Sequence, residues 1–207
     1  MKNRGLLVLI RHGQSEWNKK NLFTGWKNPG LTSKGIEEAN KAGILLSKKN
    51  IQFDVMFTSL LIRAQLTGQI ILKHLNQEKL ITYKNLALNE RNYGDLSGLN
   101  KDEARKKWGN DQVHTWRRSY DIPPPKGESL KDTSERVIPY FKENILPLGL
   151  KGKKILVAAH GNSLRSLIMS LKFLSPTEVV KLEIATGQPI AFSIDSPTKI
   201  TEISLLN

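Results

Sequence analysis

The sequence predicts an α/β fold with three layers, a mostly parallel central sheet carrying helices on both faces. Three observations carry that expectation. Short apolar runs at residues 6–10, 55–58 and 155–159 read as buried strands. Longer stretches of helical periodicity stand between them, and strands alternating with helices favour a layered, mostly parallel sheet. Finally, two of the runs end in the same pattern, His-Gly-x-Ser, at His12 and at His160.

Taken in order, residues 6–10 form the first strand. Ile36, Ala39, Gly43 and Leu46 then recur at helical spacing, with Thr32 or Ser33 as the N-cap. Residues 55–58 are the second strand. The helix after it, over 61–75, keeps Leu61, Ala64, Gly68, Ile71 and Leu75 on one side. Asn100, with Glu103 three residues further on, marks another helix start, and residues 136–145 read as a helix with Pro139 as a bend. A third buried strand, 155–159, leads into a helix over 163–173, and 190–194 and 201–205 complete the sheet. The run Pro123-Pro124-Pro125 reads as a stiff surface loop, not a boundary. A single domain over 1–207 is therefore expected.

Composition narrows the function. Hydrophobic residues at 39% and charged residues at 25% are those of an ordinary globular chain, and no window approaches the ~18 apolar residues of a membrane span. The basic start Met1-Lys2-Asn3-Arg4 is followed by an apolar run that breaks at Arg11, short of the ~7–15 residues of a signal core, so a cytoplasmic location is expected. With no cysteine, disulfides and thiolate metal sites are excluded, and four histidines must carry any imidazole chemistry. A net charge of +13 calls for an anionic partner. The lysine pairs at 19–20, 48–49, 106–107 and 153–154 are scattered and belong to no nucleic-acid module, so a small phosphorylated or carboxylated molecule is expected, with no nucleic acid and no membrane.

Ligands of open parallel sheets bind beyond the carboxyl ends of the strands. There the first strand offers Arg11-His12-Gly13-Gln14-Ser15 and the third offers His160-Gly161-Asn162-Ser163; the second offers Thr58-Ser59, with Arg63 one turn into its helix. Parallel strands would bring both histidines to one edge. Gly13 and Gly161 leave room for a ligand to approach the backbone, or permit a tight turn, and amides at helix starts there favour an anion.

Arg11-His12-Gly13 together with His160-Gly161 resembles the signature of the histidine phosphatase superfamily. The blocks "RHGQSEWN", "FTGW", "GLTSKG", "TSLLIRA", "LNERNYGDLSGLNK", "WRR" and "AHGNSLR", in this order along the chain, resemble more narrowly the cofactor-dependent phosphoglycerate mutases. That resemblance implies that 3-phosphoglycerate and 2-phosphoglycerate are interconverted through a phosphohistidine primed by 2,3-bisphosphoglycerate, without metal. Alternatives from other classes are a phosphatase of the same superfamily and a basic binding protein without catalysis.

The resemblance also implies roles. His12 carries the phosphoryl group, since neutral imidazole offers a lone pair near pH 7. Arg11, Arg63 and His160 neutralise the phosphoryl oxygens, and Asn18 adds a hydrogen bond. Glu90 is the general acid and base; neighbouring arginines should lower its pKa, while burial and a bound polyanion should raise it. Thr24, Gly25, Arg91, Tyr93, Lys101, Arg117, Arg118, Gly161 and Asn162 line the substrate pocket. Homodimers or homotetramers are implied as well.

Three departures stand out. Long members of that family carry roughly two dozen more residues after the Trp-Arg-Arg block, far beyond an ordinary connection, where this chain has only "SYDIPPPKG". The short segment bears on pocket closure and subunit packing. Asn92 stands where histidine is frequent, a matter of tuning more than chemistry, and the chain ends at Asn207 without the tail of some members, which bears on phosphoenzyme lifetime.

Overall fold

Alternation along the first strand decides the layering. The computed structural model describes residues 4–205, so the basic start at Met1–Asn3 and the chain end at Asn207 lie outside the described residues. In β1 (Gly5–Arg11), Leu7 and Leu9 point into one hydrophobic cluster, Val8 and Ile10 into another. Each face of the strand is therefore buried, as the continuous apolar run requires.

The sheet has six strands in the order β3-β2-β4-β1-β5-β6. β2 (Val55–Thr58), β3 (Thr82–Lys84) and β4 (Lys154–Ala159) run parallel with β1, whereas β5 (Pro189–Ser196) and β6 (Lys199–Ile203) are antiparallel additions. On the Val8 face lie α2 (Ser33–Lys48) and α3 (Ile62–His74), contributing Ala42, Leu46, Ile71 and Leu72. On the Leu7 face lie α6 (Leu130–Tyr140) and α8 (Gly161–Lys172), contributing Val137, Leu164 and Leu167. Helices on both faces of a mostly parallel sheet are thus the observed architecture. No helix among the described residues is long and apolar enough to cross a membrane.

Capping explains where the helices begin. The Thr32 hydroxyl accepts from the Gly35 N–H and starts α2; Asn100 accepts from Asp102 and Glu103 and starts α4 (Lys101–Trp108). The helix expected over 136–145 begins six residues earlier, because Ser129 and Asp132 form a capping box. Pro139 sits inside α6 without ending it; a π-helical turn at Phe141–Ile145 follows, then α7 (Leu146–Leu150). Three short elements were not expected: α1 (Glu16–Lys19), β3 and α9 (Pro176–Val179), although Ser175 with Glu178 three residues on and Pro176 at the first helical position spell the start of α9. The helix after α4, α5 (Asn110–Arg118), packs Val113 and Trp116 with Phe23, Leu96 and Ala104 into a third, smaller cluster. In that cluster α4, which starts at Lys101, packs against α5, which carries Arg117.

Candidate active site

The site begins with strand register. β1 and β4 are neighbours with Arg11 opposite Ala159, so the next residue of each strand, His12 and His160, leaves the sheet side by side. Their rings meet edge to face with centroids 5.0 Å apart. Both imidazoles are buried.

His12 Nδ1 lies 2.7 Å from the Gly13 carbonyl oxygen. A carbonyl only accepts, so Nδ1 carries the proton and Nε2 keeps a lone pair. Arg63 Nε donates toward that Nε2 at 3.3 Å. Burial first, and then the Arg63 and Arg11 charges, hold His12 well below the usual imidazole range, against the opposing pull of the Gly13 carbonyl. His12 is thus neutral at pH 7. His160 is lowered well below its ordinary value as well, by burial first and then by Arg63. Its Nε2 lies 2.7 Å from Ser59 Oγ at the end of β2.

Arg63 is pinned from behind, donating to the carbonyls of Lys27 at 2.8 Å and Gly25 at 2.9 Å. Burial pushes its pKa down to about 10, so it stays cationic at neutral pH. Arg11 spends Nη1 on the Ile184 carbonyl at 2.7 Å, while its Nε is buried without a partner, as is Thr24 Oγ1. These are unspent polar groups beside a cavity.

Glu90 comes from the loop after the 3-10 turn at Leu86–Leu88. Its Oε1 accepts from the Arg91 N–H at 2.8 Å and the Asn162 N–H at 3.0 Å. Burial raises the carboxyl's pKa, but the Arg91 hydrogen bond, the Arg11 and Arg63 charges and the Asn162 hydrogen bond outweigh it, and the net shift is downward. The loop itself is clamped from outside. The Glu90 carbonyl accepts from Trp26 Nε1 at 2.7 Å and Arg136 Nη2 at 3.0 Å. Arg136 Nη1 also reaches the carbonyls of Ala87 and Asn89, and its guanidinium forks onto Glu128 at 2.9 and 2.8 Å. Glu128, at the end of the short proline-rich segment, in turn accepts from the Asn92 N–H.

A cavity of about 160 Å³ opens over Arg11 and His12. Of the expected residues, Asn18, Thr24, Gly25, Arg63, Glu90, Tyr93, Lys101, Arg117, Arg118, Gly161 and Asn162 line it too. His160 and Arg91 are not among its lining residues. Arg91 lies behind, donating to the Tyr93 hydroxyl at 3.2 Å and the Arg117 carbonyl at 3.0 Å. Asn18 Oδ1 caps the Ser15 N–H. Lys101 and Arg117 are both lowered in pKa, first by burial, with neighbouring cations adding to it. An anion in the cavity would relieve that crowding.

The two glycines differ. A Cβ on Gly161 would meet Arg11 and Arg165 side chains at 3.7 Å, so this glycine borders the cavity. A Cβ on Gly13 would sit 2.1 Å from the Gly35 carbonyl oxygen, so the reason for Gly13 is a backbone crossing with α2, not ligand approach.

Sequence reasoning missed Leu22, Phe23, Arg165 and Glu183, which also line the cavity. Arg165 could have been found, four residues after Gly161 on one helix face. Glu183 had no local signal, and neither did the Arg136–Glu128 clamp.

The chain matches the histidine phosphatase superfamily (branch 1) over residues 7–200. It is 61% identical over 201 residues, 97% of this chain and 96% of the other, to the 2,3-bisphosphoglycerate-dependent phosphoglycerate mutase of Parvibaculum lavamentivorans. Such coverage leaves no space for roughly two dozen further residues, so the short segment after Arg118 is shared with that relative. Among solved structures, it is similar to a phosphoglycerate mutase from Bacillus anthracis, with a TM-score of 0.80 and 25% identity over 98% of this chain and 93% of that one. An alpha-ribazole phosphatase from Shigella flexneri gives a TM-score of 0.82 at 25% identity, over 96% and 94%.

Proposed function

Since this chain belongs to the histidine phosphatase superfamily, branch 1, we propose a division of labour among its residues for the interconversion of 3-phosphoglycerate and 2-phosphoglycerate. The activity itself rests on one observation: identity near 60% over nearly the whole length to enzymes of that name. The chain is an enzyme of that class.

2,3-Bisphosphoglycerate, when bound, supplies the phosphoryl group that primes His12. The fit of such a polyanion is supported by six cationic side chains against two carboxylates in the cavity lining, and by the unpartnered Arg11 Nε and Thr24 Oγ1. Arg11, Arg63 and Asn18 hold the transferring group, with His160 beside His12; Lys101, Arg117 and Arg118 hold the far end of the glycerate.

His12 Nε2, whose unprotonated lone pair accepts only the 3.3 Å hydrogen bond from Arg63 Nε, forms the bond to phosphorus as Arg63 turns to the phosphoryl oxygens, and the Gly13 carbonyl keeps the ring proton on Nδ1 throughout. In the forward half, the glycerate hydroxyl oxygen attacks phosphorus while Glu90 accepts its proton, and the P–N bond's electron pair returns to Nε2. In the second half, His12 takes the phosphoryl group from the other glycerate oxygen, and Glu90 gives that oxygen the same proton. A carboxyl whose net pKa is lowered is ready as the base of the first half, and it becomes an acid only by receiving the substrate's proton. No outside proton donor is then needed.

A match over residues 7–200 supports reading the chain as one domain. Homodimers or homotetramers rest on the resemblance alone, and cytoplasmic residence on the sequence reading alone.

The deciding experiment offers 2,3-bisphosphoglycerate with radiolabelled phosphate, locates the label, and compares isomerisation of 3-phosphoglycerate with phosphate release, using His12→Ala as control. Label on His12 and isomerisation exceeding release are expected. Label elsewhere, or release in excess, would point to a phosphatase and overturn the mutase reading.

A further inference from the structure

Among the described residues, the one acidic side chain that lines the cavity besides Glu90 is Glu183, in the connection between α9 and β5. Its carboxylate pairs with Arg118 Nη2 at 2.6 Å, at the end of α5, and lies 3.6 Å from Arg165 Nη2 on α8. The end of α5, α8 and the connection after α9 thus meet at one carboxylate. It is also the outermost of the three, with 68% of its side chain exposed against 29% for Arg118 and 12% for Arg165.

The two arginines are not equally held. Arg165 is tied down without Glu183, donating from Nε to the Leu182 carbonyl at 2.8 Å and from Nη1 to Asn162 Oδ1 at 3.2 Å. Arg118 has its ion pair with Glu183 alone among the described salt bridges. An anionic ligand that uses Arg118 must therefore share it with a resident carboxylate, or displace that carboxylate into solvent.

We propose that Glu183 is an electrostatic latch across the mouth, a specificity-determining residue that loosens the cavity's hold on anions in proportion to their charge. The proposal rests on the reading of this cavity as the phosphoglycerate site. Glu183 stands in for a ligand carboxylate on Arg118 while the cavity is empty, and it repels whatever negative charge lies deeper. A monophosphorylated glycerate replaces the Glu183 carboxylate on Arg118 with its own and feels the smaller share of the repulsion. A more highly charged ligand feels the repulsion once per charge, so Glu183 favours release over retention.

In Glu183→Gln the repulsion disappears while size and hydrogen-bonding capacity stay. One charge ~7 Å away, screened between water and protein interior, changes affinity about 3- to 10-fold per ligand charge. The test uses calorimetry of inorganic phosphate and inorganic pyrophosphate binding to the unsubstituted protein, Glu183→Gln and Glu183→Asp, beside KM and kcat for 3-phosphoglycerate. Glu183→Gln should tighten pyrophosphate more than phosphate, lower KM, and steepen the dependence of KM on ionic strength. Glu183→Asp, which keeps the charge, should move back toward the unsubstituted values. Unchanged or weaker anion binding in Glu183→Gln, or equal gains for both anions, would overturn the latch. Lack of isomerisation by the unsubstituted protein would overturn the activity instead, since the calorimetry reads the latch without turnover.

Discussion

Gly35→Ala isolates a contact that holds the phosphoryl-carrying histidine in place. Gly13 and Gly35 cross with their backbones touching. A Cβ built on Gly35 would lie 2.1 Å from the Gln14 carbonyl oxygen and 2.8 Å from the Gln14 nitrogen, while one on Gly13 would lie 2.1 Å from the Gly35 carbonyl oxygen. Real Cβ atoms essentially never come closer than 3.0 Å, so about 1 Å of separation must be found between two backbones. Neither glycine has a positive φ, so the added methyl meets no other strain.

The separation cannot be absorbed freely. The Gln14 carbonyl accepts from the Thr32 N–H at 2.9 Å, the Gln14 N–H donates to Glu38 at 2.8 Å, and the Gly13 N–H donates to Thr67 at 3.1 Å. Overpacking typically costs ~1–3 kcal/mol, and each hydrogen bond stretched beyond use ~0.5–1.5 kcal/mol, so Gly35→Ala should lose ~2–4 kcal/mol of stability. The Gly13 carbonyl that fixes the His12 tautomer moves with the loop. A shift of ~1 Å at a reacting group can cost ~10²-fold in rate. Urea unfolding, read at constant m, measures the first effect, and single-turnover labelling of His12 measures the second. Gly161→Ala is the contrast, because its Cβ would find ordinary contacts at 3.7 Å and leave stability within ~0.5 kcal/mol. A Gly35→Ala protein that unfolds at the normal urea concentration and labels at the normal rate would refute the crossing as the reason for these glycines.

Glu90→Gln keeps an oxygen for the Arg91 and Asn162 N–H groups but can no longer take a proton, so isomerisation should fall ~10²- to 10⁴-fold while labelling of His12 by an activated phosphate donor survives. Loss of both in parallel would refute the acid-base role. Arg136→Met strips the clamp from the Glu90 loop and strands Glu128; with side chains 17% and 20% exposed, the pair falls short of a fully buried one, and a loss of ~2 kcal/mol is expected in thermal unfolding, together with a fall in kcat. For pH, His12 and His160 bind fewer protons folded than unfolded. Their contribution is complete above the unfolded value near 6.5 and is lost as pH falls toward their depressed folded values, by up to ~1.4 kcal/mol per pH unit for each histidine. Unfolding free energies measured from pH 7.5 to 5.0 should drop accordingly, with a smaller slope in His12→Gln.

The strands bearing the two histidines were legible because burial on both faces demands an unbroken apolar run, as in Leu6 to Ile10 and Ile155 to Ala159. The start of α6 was legible in principle, since Ser129 and Asp132 spell a capping box, yet the proline-rich stretch before it masked the signal. The Glu90 clamp was not legible. Arg136 and Glu128 lie 8 positions apart, beyond the reach of side chains one turn apart on a helix, and look like two ordinary surface charges until α6 turns Arg136, and the segment before it Glu128, toward the loop.

By itself the sequence determined the layered sheet, the two histidines at one edge, and the cationic residues an anion site needs, because period, strand length and strand-end chemistry are local properties of the chain; the phosphoryl roles came with the resemblance. Tertiary structure alone decided three other matters. Register set the two imidazoles 5.0 Å apart. The approach of α2 turned Gly13 from a ligand-facing gap into a packing contact. Folding of the connection after α9 brought Glu183 onto Arg118, and no local pattern records that meeting, since it depends on where two segments distant in the chain come to rest.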